Sequence, residues 1–125
     1  MIAKGAHLRL GSWETLPNSS SLLALLDATA EDDVLVLKDQ HPTSDYPSPA
    51  SAYLDAASLI VNHAERTSAG VRSLCAALRS DVPHAYGNLY LTPPCGKAVD
   101  AHADDRDVLV VQLFGAKLWK VYADP

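Results

Sequence analysis

Cysteine, positive charge and long apolar runs are all scarce in this chain, and each scarcity excludes something. The 125 residues contain two cysteines, Cys75 and Cys95, with no CxxC pair. That excludes a disulfide-stapled secreted scaffold and fits a reducing interior. The first residues, Met1-Ile-Ala-Lys-Gly-Ala-His-Leu-Arg-Leu, lack the apolar core of a signal peptide. No apolar stretch approaches the roughly 20 residues needed to cross a bilayer. Ten Lys and Arg stand against 15 Asp and Glu, for a net charge of −5. A protein held to nucleic acid through phosphates needs the opposite balance. These absences predict a cytosolic protein, nuclear or nucleolar in a eukaryote, with no membrane and no direct nucleic-acid partner.

What is present is ordinary soluble composition, 48% apolar and 20% charged, enough for one small domain with its own core. Ser19, Ser20 and Ser21 precede Leu22-Leu23-Ala-Leu25-Leu26, which predicts a capped helix over Ser20 to Thr29. Val34 to Lys38 and Ser58 to Asn62 are short, apolar runs with the character of buried strands. Between them, His41 to Ser51 carries Pro42, Pro47 and Pro49 and reads as a loop without regular structure. Thr67 or Ser68 caps a second helix whose Val71, Leu74, Cys75 and Leu78 form one buried stripe. This places Cys75 in the core as an inert thiol. Beyond His84 the period becomes strand-like: Tyr86 to Leu91, then Val108 to Phe114, a turn at Gly115-Ala116, and a return along Lys117 to Ala123. No internal repeat is visible. Helices and mixed elements first, then a β-rich end, predict an α+β fold with helices outside a sheet or barrel.

The chemistry concentrates in the β-rich end. His102 and Asp104 lie two apart, and on extended chain such residues point to one face. They can aim at one point, as two ligands of a metal must. One imidazole and one carboxylate are two thirds of the two-His-one-carboxylate face that binds non-haem Fe(II) and leaves positions open. The bland alternative is a solvated acidic loop, Asp100 to Asp107, with a surface histidine. His63-Ala-Glu65 has equivalent spacing and is expected to be exposed. Lys117, fifteen residues after His102, would begin the strand next to Val108–Leu113. If it points inward it needs an anion, such as the far carboxylate of a dicarboxylate chelating the metal. If it points outward it is a solvated hairpin lysine. Asn88 and Tyr90 alternate on the preceding strand. Tyr90 can donate to the same carboxylate and Asn88 can bond the ligand, or Tyr90 can pack in the core.

Asn88-x-Tyr90-x-Thr-Pro-Pro, then His102-x-Asp104, then Asp107-Val-x-Val-x-Gln-Leu-x-Gly-x-Lys117-x-Trp-x-Val-Tyr122 resembles the JmjC (cupin-like) ribosomal oxygenases. The likeness is strongest over 88–122 and extends back to Ser58. These are Fe(II)- and 2-oxoglutarate-dependent protein hydroxylases, so the resemblance implies a double-stranded β-helix of cupin or jelly-roll type. The chain would be one truncated domain over 1–125, with an N-terminal region at 1–57 (Pro-rich loop 41–51) and the start of the barrel at 58–125. His102 and Asp104 would match iron ligands, Lys117 the residue holding the distal carboxylate of 2-oxoglutarate, and Tyr90 and Asn88 the pocket lining. The implied partner is a protein substrate, a ribosomal protein foremost. Histone lysine demethylation is a neighbouring activity in the family.

The family's second histidine ligand lies well downstream, and no histidine follows His102 here. Of the earlier ones (His7, His41, His63, His84), only His84 adjoins the relevant strand. The expectations are therefore twofold. The chain is a piece of an oxygenase and turns over little cosubstrate alone, or it is a non-enzymatic cupin-like interaction module. A small metal-binding cupin of isomerase or sugar-binding type ranks last, for want of His and Glu ligands. A final strand with an unpaired edge would favour truncation or a homodimer that covers it.

Overall fold

The computed structural model describes residues 16–122. Its centre is a four-stranded antiparallel sheet in the order β2-β1-β3-β4, with β1 at Val34–Lys38, β2 at His41–Pro42, β3 at Ser58–Val61 and β4 at Leu89–Leu91. Val34 pairs with Val61 and Leu37 with Ser58 across β1 and β3, while Leu59 pairs with Leu91 and Val61 with Leu89 across β3 and β4. The two expected strands therefore form the middle of the sheet. All four residues of β3 are buried, as expected for a central strand covered on both faces.

Period-2 alternation divides the sheet into two faces. Leu59 and Val61, with Val36, Leu89 and Leu91, pack against three helices: α1 (Leu22–Ala28), α2 (Pro49–Leu54) and α3 (Ala69–Leu78). Leu25, Leu26, Ala52, Val71 and Cys75 complete that core. The opposite face carries Leu35, Leu37 and Ile60, covered by Ala98 from a distant loop. Tyr90 pairs with Ile60 and so belongs to this second face.

α1 and α3 form where the apolar period places them. Ser68 caps α3, its hydroxyl accepting from the Val71 amide at 3.3 Å. Cys75 is buried, and burial pushes its thiol pKa up; Cys95 is exposed, and both thiols are free.

The expectation of a structureless 41–51 is corrected at both ends. His41–Pro42 pairs with Lys38 and Leu37 through a two-residue turn in which Asp39 and Gln40 both have positive φ, 49° and 68°. This is the geometry that matches strand twist in a tight hairpin. At the other end Ser48 and Ser51 form a reciprocal capping box, with Pro49 in the first turn of α2. Pro and Ser, read as breakers, are here a helix start. Tyr46 then closes the segment onto α2 by donating to Asp55 Oδ2 at 2.6 Å. That bond, first among its causes, raises the Tyr46 pKa to about 12.

The expected strand over Tyr86–Leu91 is shorter, Leu89–Leu91. The hairpin expected over Val108–Phe114 and Lys117 onward forms no ladder among the described residues; Ala123 lies outside them. Gly115 does turn the chain, with φ +70°. The flanking apolar side chains remain exposed, Val108 at 62% and Leu118 at 87%. A two-stranded ribbon is marginal without a third strand or a helix beneath it. Among the described residues no helix is long and apolar enough to cross a membrane.

Candidate functional site

β4 delivers the chain to the His102–Asp104 pair by a short path. After Leu91, a turn closes with the Gly96 amide donating to the Pro93 carbonyl at 2.9 Å, Cys95 taking φ 60°. Ala98, 5% exposed, then docks against Leu37 and Ile60. That small buried side chain pins the start of the loop to the second face of the sheet. Lys97 Nζ donates to Asp100 Oδ1 at 2.6 Å, and this bond is the main reason the Asp100 carboxyl lies below its usual range.

The Asp100 carbonyl accepts from His102 Nδ1 at 2.7 Å. A carbonyl has only lone pairs to offer, so Nδ1 is the donor, and of the two neutral tautomers this contact selects the one with a free Nε2 lone pair. Nε2 lies 3.6 Å from Asp104 Oδ1, both side chains being about half exposed. Nitrogen and oxygen donors each about 2.1 Å from one metal ion, at right angles, are roughly 3 Å apart. The exposed pair is therefore close to a shared-ligand separation, with ring orientation already set by a backbone acceptor, the common arrangement of a metal-binding histidine. Among the described residues, no group of three or more His, Cys, Asp and Glu side chains converges. His84 thus does not complete the set. By its chemistry the donor pair suits a metal that prefers nitrogen and oxygen ligands.

Lys117 is exposed, yet it is directed back at β4. Its Nζ donates to Thr92 Oγ1 at 3.2 Å and lies 5.6 Å from the Tyr90 ring centre and 5.9 Å from that of Trp119. An ammonium over ring faces is held by their negative quadrupole. Of the two readings, inward on a strand or outward as a solvated hairpin lysine, neither holds as stated: the residue is exposed and makes this contact from an irregular segment. Lys117 and Tyr90, chosen from sequence, are brought together. Thr92 was overlooked as a site residue, although its place two residues beyond Tyr90 is the signal that would have found it.

Asn88 departs from expectation. It lies just outside β4, and its Oδ1 accepts from the His63 amide at 3.1 Å. His63 needs that support because its φ of 51° is left-handed, uncommon for a residue with a Cβ. The His63 ring, 41% exposed, has Nδ1 at 3.3 Å from Glu65 Oε1 and packs 5.3 Å from the Tyr86 ring. Glu65 Oε2 also accepts from the Gly87 amide at 3.0 Å. Burial pushes the Glu65 pKa up, but the bonds from backbone amides and His63 outweigh it and leave it below the usual value. His63 and Glu65 thus knot the 63–65 turn to the 86–88 segment.

The family model of the JmjC domain matches residues 61–125. The chain is 34% identical over 80 residues to the bifunctional lysine-specific demethylase and histidyl-hydroxylase NO66 of Drosophila grimshawi, covering 63% of this chain and 11% of that protein. It is 50% identical over 38 residues to ribosomal oxygenase 1 of Homo sapiens, covering 30% of this chain and 6% of that protein. The chain therefore matches only about a tenth or less of these relatives' length. No solved structure matches. With more than half of its length matched by that family model, the chain belongs to the JmjC domain family.

Proposed function

We propose that this chain is part of an Fe(II)- and 2-oxoglutarate-dependent oxygenase that hydroxylates a protein side chain, with a ribosomal protein as the foremost substrate class. Its relatives include proteins named histidyl-hydroxylase, lysine-specific demethylase and ribosomal oxygenase. The observation that carries the reading is the convergence of His102 and Asp104, 3.6 Å apart, in a loop anchored on the face of the sheet that also bears Tyr90. In this reading that face is the inside of a double-stranded β-helix, and the exposed apolar residues of 108–122 are barrel strands awaiting further partners.

His102 Nε2 and Asp104 Oδ1 would hold the metal, and the Asp100 carbonyl keeps the imidazole in the tautomer that can bind. When bound, Fe(II) supplies the oxygen activation that couples decarboxylation of 2-oxoglutarate to hydroxylation of a C–H bond. Lys117 offers its ammonium to the distal carboxylate, with Thr92 and Tyr90 as neighbouring hydroxyl donors. Charge-assisted contacts of this kind orient a dicarboxylate as well as bind it. Asn88 acts indirectly, holding the His63 turn against the segment that leads into β4.

The test is succinate formation from 2-oxoglutarate, Fe(II) and O₂ by the full-length gene product. Turnover that is lost in His102→Ala supports the reading, and absence of turnover sinks it. Residues 1–125 alone are expected to turn over little or nothing, because only two ligands converge among the described residues. A second reading, a non-enzymatic module that works through protein contacts or a homodimer, draws on the exposed apolar run Val108 to Tyr122. It predicts unchanged behaviour in His102→Ala.

A further inference from the structure

The loop bearing His102 and Asp104 is anchored at its start by Ala98, 5% exposed. Just past Asp104 the Arg106 side chain returns to the body of the fold. Arg106 Nη1 donates to the Tyr86 hydroxyl at 2.8 Å, and the guanidinium carbon lies 5.8 Å from the Tyr86 ring centre. Arg106 Nε is also fixed, at 2.7 Å from Asp105 Oδ1. Tyr86 is itself held: its ring packs on His63, and the next residue, Gly87, gives its amide to Glu65 and its carbonyl to the Ala64 amide at 2.7 Å. A continuous set of contacts therefore runs from the 63–65 turn through Tyr86 to the residue two positions beyond Asp104.

We propose that Arg106 and Tyr86 are positioning residues for the metal pair, a second anchor that, with Ala98, holds the loop so that His102 and Asp104 face one point. The inference rests on the metal reading of that pair. The physical argument is entropic. A loop tied only at Ala98 spreads its two donors over many separations, and only the near ones bind. A tie at each end removes those states before the metal arrives. Arg106 touches neither donor and supplies no ligand. Its planar fork donates to an oxygen on each side, Asp105 and Tyr86, which a lysine cannot reproduce.

The test uses residues 1–125 and two readouts: amide hydrogen exchange over 100–107 without metal, and Co(II) affinity from paramagnetic changes at those amides. Tyr86→Phe removes only the hydroxyl and Arg106→Gln removes the fork; neither touches the core. Each is expected to speed exchange over 100–107 several-fold and weaken Co(II) binding about three- to tenfold, and the double variant should be no worse than either single one. Arg106→Lys should fail to restore affinity. Unchanged Co(II) affinity in both single variants, with binding abolished in His102→Ala, overturns the proposal and leaves the metal reading standing, whatever the exchange rates show. Binding in the unmodified chain that does not depend on His102 overturns the metal reading, and the proposal with it.

Discussion

Lys117 Nζ donates to Thr92 Oγ1 at 3.2 Å across 25 residues of sequence. This contact brings the segment after Gly115 onto the end of β4 and places the ammonium beside the Tyr90 ring. It supports the proposed carboxylate subsite, because the lysine has a hydroxyl and ring faces around it and, among the described residues, forms no ion pair.

Lys117→Ala is accordingly expected to weaken 2-oxoglutarate binding to the metal-loaded full-length protein about tenfold or more, since a hydrogen bond to a charged group contributes about 1.5–3 kcal/mol. Thr92→Val should cost less, as it removes one neutral donor. Calorimetric titration measures both. Equal affinity in Lys117→Ala and the unmodified protein would remove the lysine from the site.

Gly87 admits no side chain. A Cβ there would meet Val71 Cγ1 at 2.5 Å, and the contact lies against α3 and its buried stripe. Gly87→Ala is expected to destabilise the fold by about 1–3 kcal/mol, the usual cost of overpacking. Urea unfolding should show a lower midpoint with an unchanged slope.

Much of this fold was legible in the sequence, and the failures have separate physical causes. β1, β3, α1 and α3 were readable because each has an apolar pattern of one period and a matching partner surface in the chain. α2 was missed because Pro49 and the serines around it were read as breakers, when Ser48 and Ser51 cap each other across a proline that suits a first helical turn. The turn at Asp39-Gln40 lacked the glycine that usually signals two positive φ angles. The 108–122 hairpin carries a strand's pattern but no ladder, since pattern specifies a face and not the surface that covers it. At the candidate site, spacing singled out His102 with Asp104 and Lys117 with Tyr90, and each pair lies close together in the structure. It did not foresee the partner of Asn88, a backbone amide on a left-handed residue that no local pattern announces.

Glu65 sets a pH dependence. Its carboxyl is held below the ordinary value of 4.5 by bonds to the Gly87 amide and His63 that outweigh burial. A depressed folded-state pKa adds stability that is present above the unfolded value and lost as pH falls through the folded one. Thermal stability should therefore fall below about pH 4.5, and Glu65→Ala should flatten that part of the profile while costing about 1–2 kcal/mol at neutral pH. Glu65→Gln can still accept from Gly87 and should retain part of the neutral-pH stability.

Ser68 caps α3 from a buried position, accepting from Val71. Ser68→Ala should cost about 1 kcal/mol, within the range for lost N-caps. Chemical denaturation reads it directly. A loss as large as that of Gly87→Ala would point to a packing role for the hydroxyl as well.

The central claim is that His102 and Asp104 form one metal-binding pair. The direct measurement is a Co(II) titration of residues 1–125, followed by nuclear magnetic resonance, in the unmodified chain and in His102→Ala and Asp104→Ala. The account predicts saturable broadening centred on residues 100–107 that either substitution abolishes. Broadening that survives both substitutions, or that centres on another part of the chain, would contradict it.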